Sequence, residues 1–137
     1  MSASRVGLDL EFAKKLGVFE SKLTARGIKV ILTWGYRSIK EQNALYAKGR
    51  TTPGKKVTNA RGGYSWHNFG LAADYAFVIN GKVTWDGPWG IFGEVARSCG
   101  LEWGGDWKSF PDRPHVQVTR GKTLAQMRAL AAAKKTG

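Results

Sequence analysis

One stretch of the sequence decides the fold: residues 71–85, LAADYAFVINGKVTW. Its first nine residues are mostly apolar and end in aromatic and β-branched side chains, which predicts a strand. Asn80-Gly81 is a strong signal for a type I′ turn, because both central residues of that turn need positive φ. Residues 82–85 then return beside the first strand, so the stretch predicts an antiparallel hairpin.

Helices and short strands are predicted on both sides of this hairpin. The first helix ends near Arg26-Gly27 and carries an apolar stripe at spacings of three and four residues: Leu8, Phe12, Leu16, Phe19 and Leu23. Ser38 and Glu41 form a capping box that starts a second helix. Further strands are expected at 28–34, 101–103 and 115–119, and further helices at 88–98 and 123–134. This alternation predicts an α+β fold, with helices packed against a small antiparallel sheet in a single domain over residues 1–137.

The charge of the chain is strongly positive and uneven. The formal net charge is +12, and residues 1–61 contribute +9 of it, through 13 Lys and Arg against 4 Asp and Glu. Residues 48–61 hold five basic side chains and no acidic one: Lys48, Arg50, Lys55, Lys56 and Arg61. Such a surface attracts polyanions, and both nucleic acid and the anionic bacterial envelope fit this charge.

Some classes of protein are excluded by what the sequence lacks. No apolar run approaches the roughly 20 residues of a membrane-spanning helix. The first nine residues lack the basic-then-apolar pattern of a secretory signal, so export would need another route. Cys99 is the single cysteine, which excludes an intramolecular disulfide and a thiolate-rich metal site.

The two histidines of the chain stand in settings that suit a metal site. A catalytic zinc ion takes three protein ligands and leaves one position for water, and His67, Asp74 and His115 supply two imidazoles and a carboxylate. His67 and Asp74 are seven residues apart and would face opposite sides of one strand, so a turn is needed, which Gly70 permits. A buried Asp in so apolar a run is costly unless it is paired, and a metal ion would remove that cost.

Two further residues fit the hydrolytic chemistry of such a site. Asp112 lies between Pro111 and Pro114, three residues before His115, where it could take a proton from water. Arg37 follows a strand end and could stabilise an oxyanion or bind a substrate carboxylate. Each has an ordinary alternative, since Asp112 could be a turn residue and Arg37 a solvated charge. The presence of all parts of one mechanism favours the functional reading.

The order of these motifs resembles that of the LAS metallopeptidases. These are D-alanyl-D-alanine carboxypeptidases and dipeptidases and the L-alanyl-D-glutamate endopeptidases of phage endolysins. The resemblance rests on Ser65-x-His67-x-x-Gly70-x-Ala72-x-Asp74, Gly104-Gly105-Asp106-Trp107, Asp112-x-x-His115, and Tyr36-Arg37-Ser38 followed by Gln42. It implies a Hedgehog/DD-peptidase-like fold with zinc at His67, Asp74 and His115, Asp112 as general base and Arg37 polarising the substrate carbonyl. Ser65, Gln42 and Tyr36 are expected to contact substrate.

The Asp form of the Asp112-x-x-His115 motif is more similar to the endolysin branch. It implies an L-alanyl-D-glutamate endopeptidase of a bacteriophage, with D-alanyl-D-alanine carboxypeptidase as the alternative. The enzyme would be a monomer held in the host cytoplasm until release to the wall, with an antimicrobial effect, and its basic residues would bind the anionic envelope. A non-catalytic zinc-containing module that binds envelope or nucleic acid remains the alternative from another class. Asp112 argues against it, because a structural zinc needs no base.

Overall fold

The helices and strands follow the order that the hydrophobic pattern predicts. The computed structural model describes the backbone of residues 3–136 and the side chains of residues 3–134. The elements are α1 Leu10–Ala25, β1 Val30–Trp34, α2 Ile39–Ala47, β2 Ala72–Ile79, β3 Lys82–Thr84, α3 Trp89–Ser98, β4 Glu102–Trp103, β5 His115–Gln117 and α4 Leu124–Thr136, with 3-10 helices at Trp66–Phe69 and Gly104–Asp106. The predicted α+β class is confirmed.

β2 is the central strand of the sheet, and every pairing in the sheet is antiparallel. The strand order is β1-β2-β5-β4, and β3 pairs with the far end of β2. The turn between β2 and β3 has positive φ at Asn80 (53°) and at Gly81 (76°), as the sequence predicts. Two registers matter for the site: Asp74 lies opposite Trp34 of β1 on one side and opposite His115 of β5 on the other.

The core lies between one face of the sheet and the helices α1 and α3. The ring of Phe19 on α1 meets Tyr75 edge-on at 5.6 Å and Phe92 of α3 at 5.0 Å. The predicted stripe on α1 is fully buried at four positions: Phe12, Leu16, Phe19 and Leu23. From β2, the alternating residues Ala73, Tyr75 and Phe77 enter this core.

The opposite face of β2 is also covered, and it carries the candidate site. Ala72 and Ala76 are fully buried there, although they lie outside the main core cluster, and Asp74 stands between them. The alternation that directs Tyr75 into the core therefore directs Asp74 to the second face.

Several boundaries differ from the sequence predictions by a few residues. β1 begins at Val30 rather than at residue 28, and β5 ends at Gln117 rather than at residue 119. Leu101 lies before β4, where it is buried in the core. Cys99 is partly buried against the core. Within residues 3–136, none of the helices combines the length and the apolar character that crossing a membrane requires.

Candidate metal centre and cleft

His67 is positioned by a capped 3-10 helix that a glycine ends. The hydroxyl of Ser65 accepts a hydrogen bond from the His67 amide, which caps the helix Trp66–Phe69. Gly70 follows with φ +70°, and a Cβ there would lie 2.5 Å from the carbonyl oxygen of Gly7. Only glycine fits this position, so the chain can turn sharply from His67 into β2.

The tautomer of His67 is set by a backbone carbonyl. Its ring Nδ1 lies 2.8 Å from the carbonyl oxygen of Gly35, which can only accept, so Nδ1 carries the proton. The lone pair is then on Nε2, which lies 3.4 Å from Oδ2 of Asp74. The buried imidazole therefore presents a metal-ligating nitrogen to the carboxylate.

His115 is oriented by a polar chain along the sheet. Its Nε2 lies 2.6 Å from Oε1 of Gln117, and the amide of Gln117 donates to the carboxylate of Glu102. Because Gln117 offers an oxygen, Nε2 acts as the donor, and Nδ1 points to Asp74 at 3.2 Å. The β4–β5 register, which places Glu102 opposite Gln117, makes this chain possible.

These three side chains form a cluster that could hold a metal ion. One ligand atom from each of His67, Asp74 and His115 lies within 4.8 Å of the other two. Ligand atoms about 2.0–2.2 Å from a tetrahedral zinc ion are roughly 3.4 Å apart. His67 Nε2 lies 3.4 Å from Oδ2 of Asp74, and His115 Nδ1 lies 3.2 Å from its other oxygen, Oδ1, so each imidazole is close to this spacing from one carboxylate oxygen. The cluster therefore brings suitable ligand atoms near enough to converge on a divalent cation.

The charges around Asp74 shift the ionisation of its neighbours. Burial alone would raise the pKa of Asp74, but hydrogen bonds and charge from His115 and His67 outweigh it and hold that pKa far below its usual range. Burial would lower the pKa of His115, but the hydrogen bond and the charge of Asp74 outweigh it and raise that pKa. The Asp74 carboxylate therefore favours a positive charge beside it, either a proton on His115 or a bound cation.

Arg37 is buried beside this cluster, and contacts with Gln42 and Trp34 fix its side chain. Its Nη2 lies 4.0 Å from Oδ2 of Asp74, and its Nη1 donates to Oε1 of Gln42 at 3.0 Å. Trp34 lies under the guanidinium at 4.3 Å. Burial lowers the pKa of Arg37, against the charges of Asp74, Glu41 and Asp112. The alternative of a solvated charge is wrong, because Arg37 is only 8% exposed.

Two residues predicted to contact substrate lie elsewhere. Gln42 is fully buried, and its amide nitrogen donates to the carbonyl oxygen of Ala60 at 2.7 Å, so it braces Arg37 from behind. Tyr36 packs its ring against Gly7, where an added Cβ would lie 2.6 Å from the ring. Tyr36 does not line the cleft, whereas Ser65 does.

The cluster opens into a cleft of about 330 Å³. Its walls are formed by residues from the loop before the first 3-10 helix, from the sheet and from the loop before β5: Arg37, Val57, Thr58, Ala60, Tyr64, Ser65, Trp66, His67, Asp74, Trp107, Asp112, His115 and Gln117. The ring of Trp107 packs against His115 at 5.1 Å.

Asp112 projects into this cleft from a constrained loop. Its amide donates to the carbonyl oxygen of Gly104 at 2.9 Å, and a Cβ on Gly104 would lie 2.2 Å from the Asp112 carbonyl oxygen. The carboxylate lies 3.9 Å from Nδ1 of His115 and is half-exposed. Burial and the charge of Asp74 raise the pKa of Asp112. A group so placed can reach both the metal site and water.

Some residues of the site escape sequence reasoning. Gln117 shares a strand face with His115, so alternation could have indicated its contact. Glu102 has no local signal, because its role depends on the pairing of β4 with β5. Asp106 of the Gly104-Gly105-Asp106-Trp107 motif forms an ion pair with Arg97 at 2.9 Å.

Comparisons with known proteins agree with this geometry. A family model described as D-alanyl-D-alanine carboxypeptidase (VanY) matches residues 5–86, and a second of the same description matches residues 58–118. The peptidoglycan L-alanyl-D-glutamate endopeptidase CwlK of Bacillus subtilis is 46% identical over 104 residues, which cover 68% of this chain and 62% of that protein. The L-alanyl-D-glutamate peptidase of Listeria phage A118 is 30% identical over 97 residues, covering 68% of this chain and 31% of that protein.

Solved structures share the fold. The L-Ala D-Glu endopeptidase ChiX of Serratia marcescens superposes with a TM-score of 0.56 at 25% identity, covering 84% of this chain and 83% of that chain. A zinc-bound mutant of the vancomycin-resistance D,D-pentapeptidase VanY superposes with a TM-score of 0.63 at 16% identity, covering 92% of this chain and 86% of that chain. The predicted DD-peptidase-like fold is confirmed.

The raised pKa of His115 predicts how metal binding depends on pH. A protonated imidazole binds no metal, so protons compete with zinc as the pH falls through this pKa, which lies above that of an ordinary histidine. Zinc affinity should fall about tenfold per pH unit below it. A competitive titration against a chelator of known affinity, repeated between about pH 5 and pH 8, measures this. An affinity that stays constant across the range would contradict the ligand assignment.

Proposed function

Because the chain belongs to the D-alanyl-D-alanine carboxypeptidase family of peptidases, we propose that it is a zinc-dependent endopeptidase that hydrolyses the L-alanyl-D-glutamate bond of peptidoglycan. The observation that carries this choice of bond is the 46% identity to an endopeptidase of that specificity. The matched region covers only part of that relative, so its activity comes to this chain as a proposal. The His67–Asp74–His115 cluster at the floor of the cleft supplies the metal-binding groups.

D-alanyl-D-alanine carboxypeptidase activity is the second candidate. It is favoured by the description of both matching family models. The two reactions use the same hydrolytic groups and differ in the part of the stem peptide that occupies the cleft. Only the identity of the cleaved bond separates them.

The mechanism follows from where the side chains point. His67, Asp74 and His115 would hold a zinc ion, and such an ion would supply Lewis acidity that lowers the pKa of water and polarises a carbonyl. Asp112, at the cleft edge with a raised pKa, accepts the proton of the attacking water and delivers it to the leaving amine. Arg37 keeps a positive charge next to the reacting carbonyl and stabilises the developing oxyanion.

The remaining predicted residues take two kinds of role. Ser65 lines the cleft beside His67 and is placed to contact substrate. Gln42 holds Arg37 through a buried hydrogen bond, so we assign it a positioning role. Tyr36 packs against Gly7, and we assign it a structural role next to Arg37.

The biological setting is a further part of the proposal. The phage relative supports an endolysin that accumulates in the host cytoplasm until it reaches the wall and lyses the cell, with an antimicrobial effect. The relative with the higher identity is a bacterial enzyme, which supports a peptidase of bacterial rather than phage origin. We favour the endolysin, acting as a monomer, and lysis of permeabilised bacteria by added protein is the activity that it requires.

The basic residues of segment 48–61 form a candidate surface for the anionic envelope. Lys48, Lys55, Lys56 and Arg61 are exposed, whereas Arg50 serves the fold by donating to the carbonyl oxygens of Tyr46 and Thr58 at 2.7 Å and 3.1 Å.

Removing charge from this surface should weaken wall binding. The triple variant Lys48→Gln, Lys55→Gln and Lys56→Gln is expected to sediment less with purified walls and to lose much of its salt dependence, because exposed charges act through screened attraction. Arg50 is left unsubstituted, because the loss of its hydrogen bonds to Tyr46 and Thr58 would disturb the loop that follows α2. Unchanged binding with an unchanged salt slope would remove this proposal, and tighter binding to nucleic acid than to walls would favour the alternative class.

The central test of the function is Asp112→Asn. Asparagine keeps the size of the side chain but takes no proton, so hydrolysis of purified peptidoglycan should fall by about 100-fold or more. Zinc content should stay the same, because Asp112 is not among the clustered ligands. Full activity of the variant would leave Asp112 without a catalytic role.

The cleaved bond is identified in a separate experiment on the wild-type protein. The new amino terminus that it releases, identified by mass spectrometry, should be that of D-glutamate. Release of free D-alanine would instead establish the carboxypeptidase.

A further inference from the structure

Two arginines hold a tyrosine at one edge of the cleft. Tyr64 lines the cleft next to Ser65, and 39% of it is exposed. The guanidinium of Arg128, from the distant helix α4, lies 3.8 Å from the centre of the Tyr64 ring, and that of Arg61 lies 4.5 Å from it. Arg128 also donates to the carbonyl oxygen of Gly63 at 3.1 Å, and Arg61 donates to the Tyr64 hydroxyl at 3.0 Å. Both cations are therefore held in place.

These two positive charges lack an acidic partner among the residues that the structure describes. Within the described residues, neither Arg61 nor Arg128 forms an ion pair, and residues 48–64 contain no acidic side chain. The hydrogen bond from Arg61 and the charge of Arg128 lower the pKa of the Tyr64 phenol, which reflects the positive potential at this edge. A bound anion would offset the repulsion between the fixed cations.

We propose that Arg61 and Arg128, with Tyr64 between them, form a subsite for a free carboxylate of the stem peptide. This inference rests on the proposed function and specifies its substrate class. A guanidinium matches a carboxylate with paired N–H donors, and each arginine uses only one donor in the contacts described above. D-Glutamate that is linked onward through its side-chain carboxyl keeps its α-carboxyl either free or amidated. The subsite would select the free acid.

The test compares synthetic peptides that differ in one group. The first pair is L-Ala-γ-D-Glu-L-Lys with a free α-carboxylate on glutamate or with its α-amide, both ending in a C-terminal amide. A third peptide carries the glutamate α-amide and a free carboxylate on the third residue, which separates the two sources of the anion. One of the two peptides that carry a free carboxylate should be hydrolysed by the zinc-loaded full chain with a kcat/KM about tenfold to hundredfold higher than that of the all-amide peptide. Most of this difference should lie in KM.

The double variant Arg61→Gln and Arg128→Gln should bring this ratio close to one, and Arg128→Lys should keep part of it. Arg26→Gln is the matched control, because Arg26 is an exposed arginine at the end of α1, and it should leave the ratio unchanged. Thermal unfolding and zinc content report whether the double variant folds. If the double variant does not fold, the single variant Arg61→Gln replaces it in the same comparison. The Arg61 side chain is exposed, and its hydrogen bond and its ring contact are both with the Tyr64 side chain.

Three outcomes would overturn the subsite: equal hydrolysis of all peptides by the wild type, a preference for the amide, or a preference that survives the double variant. The failure of the proposed function looks different, because the wild-type protein would then cleave none of the peptides. Cleavage without a preference would remove only the subsite and leave the endopeptidase in place.

Discussion

The carboxylate of Asp74 lies on the covered face of the central strand, where its negative charge must be compensated. A buried charge without partners costs several kcal/mol. Three groups compensate it: His67 at 3.4 Å, His115 at 3.2 Å and Arg37 at 4.0 Å. Each comes from a different segment, so the loop after β1, the first 3-10 helix and β5 all converge on one side chain. The same convergence produces a site for a divalent cation.

The backbone makes this convergence rigid. Antiparallel pairing puts Asp74 directly opposite His115, and the Arg37 amide donates to the His67 carbonyl oxygen at 3.0 Å. Asn68 reinforces that link, because its side-chain amide donates to the Arg37 carbonyl oxygen at 2.9 Å. The loop of Asp112 is fixed against Gly104, which has no room for a side chain. Groups held by sheet pairing and loop contacts in this way are pre-organised for catalysis.

The sequence predicts the elements and the clustered His67, Asp74 and His115 better than the residues that support them. With only two histidines and one carboxylate inside an apolar strand, His67, Asp74 and His115 could be identified before the structure. The roles of Gln42 and Glu102 could not, because each depends on long-range contacts: Gln42 with the loop at Ala60, and Glu102 with a neighbouring strand. Nor does any local pattern show that Arg128 contacts Tyr64, which lies 64 residues earlier in the sequence. Pattern and spacing describe one element at a time, whereas supporting roles arise from packing between elements.

The most direct test of a zinc-dependent site is the metal content of the purified protein, measured alongside its hydrolysis of peptidoglycan before and after chelation. We expect about one zinc ion per chain, bound through His67, Asp74 and His115, and none in Asp74→Asn. Hydrolysis should be lost on chelation and restored by zinc. Protein that binds no metal, or that hydrolyses peptidoglycan equally well with chelator present, would rule out a zinc-dependent site.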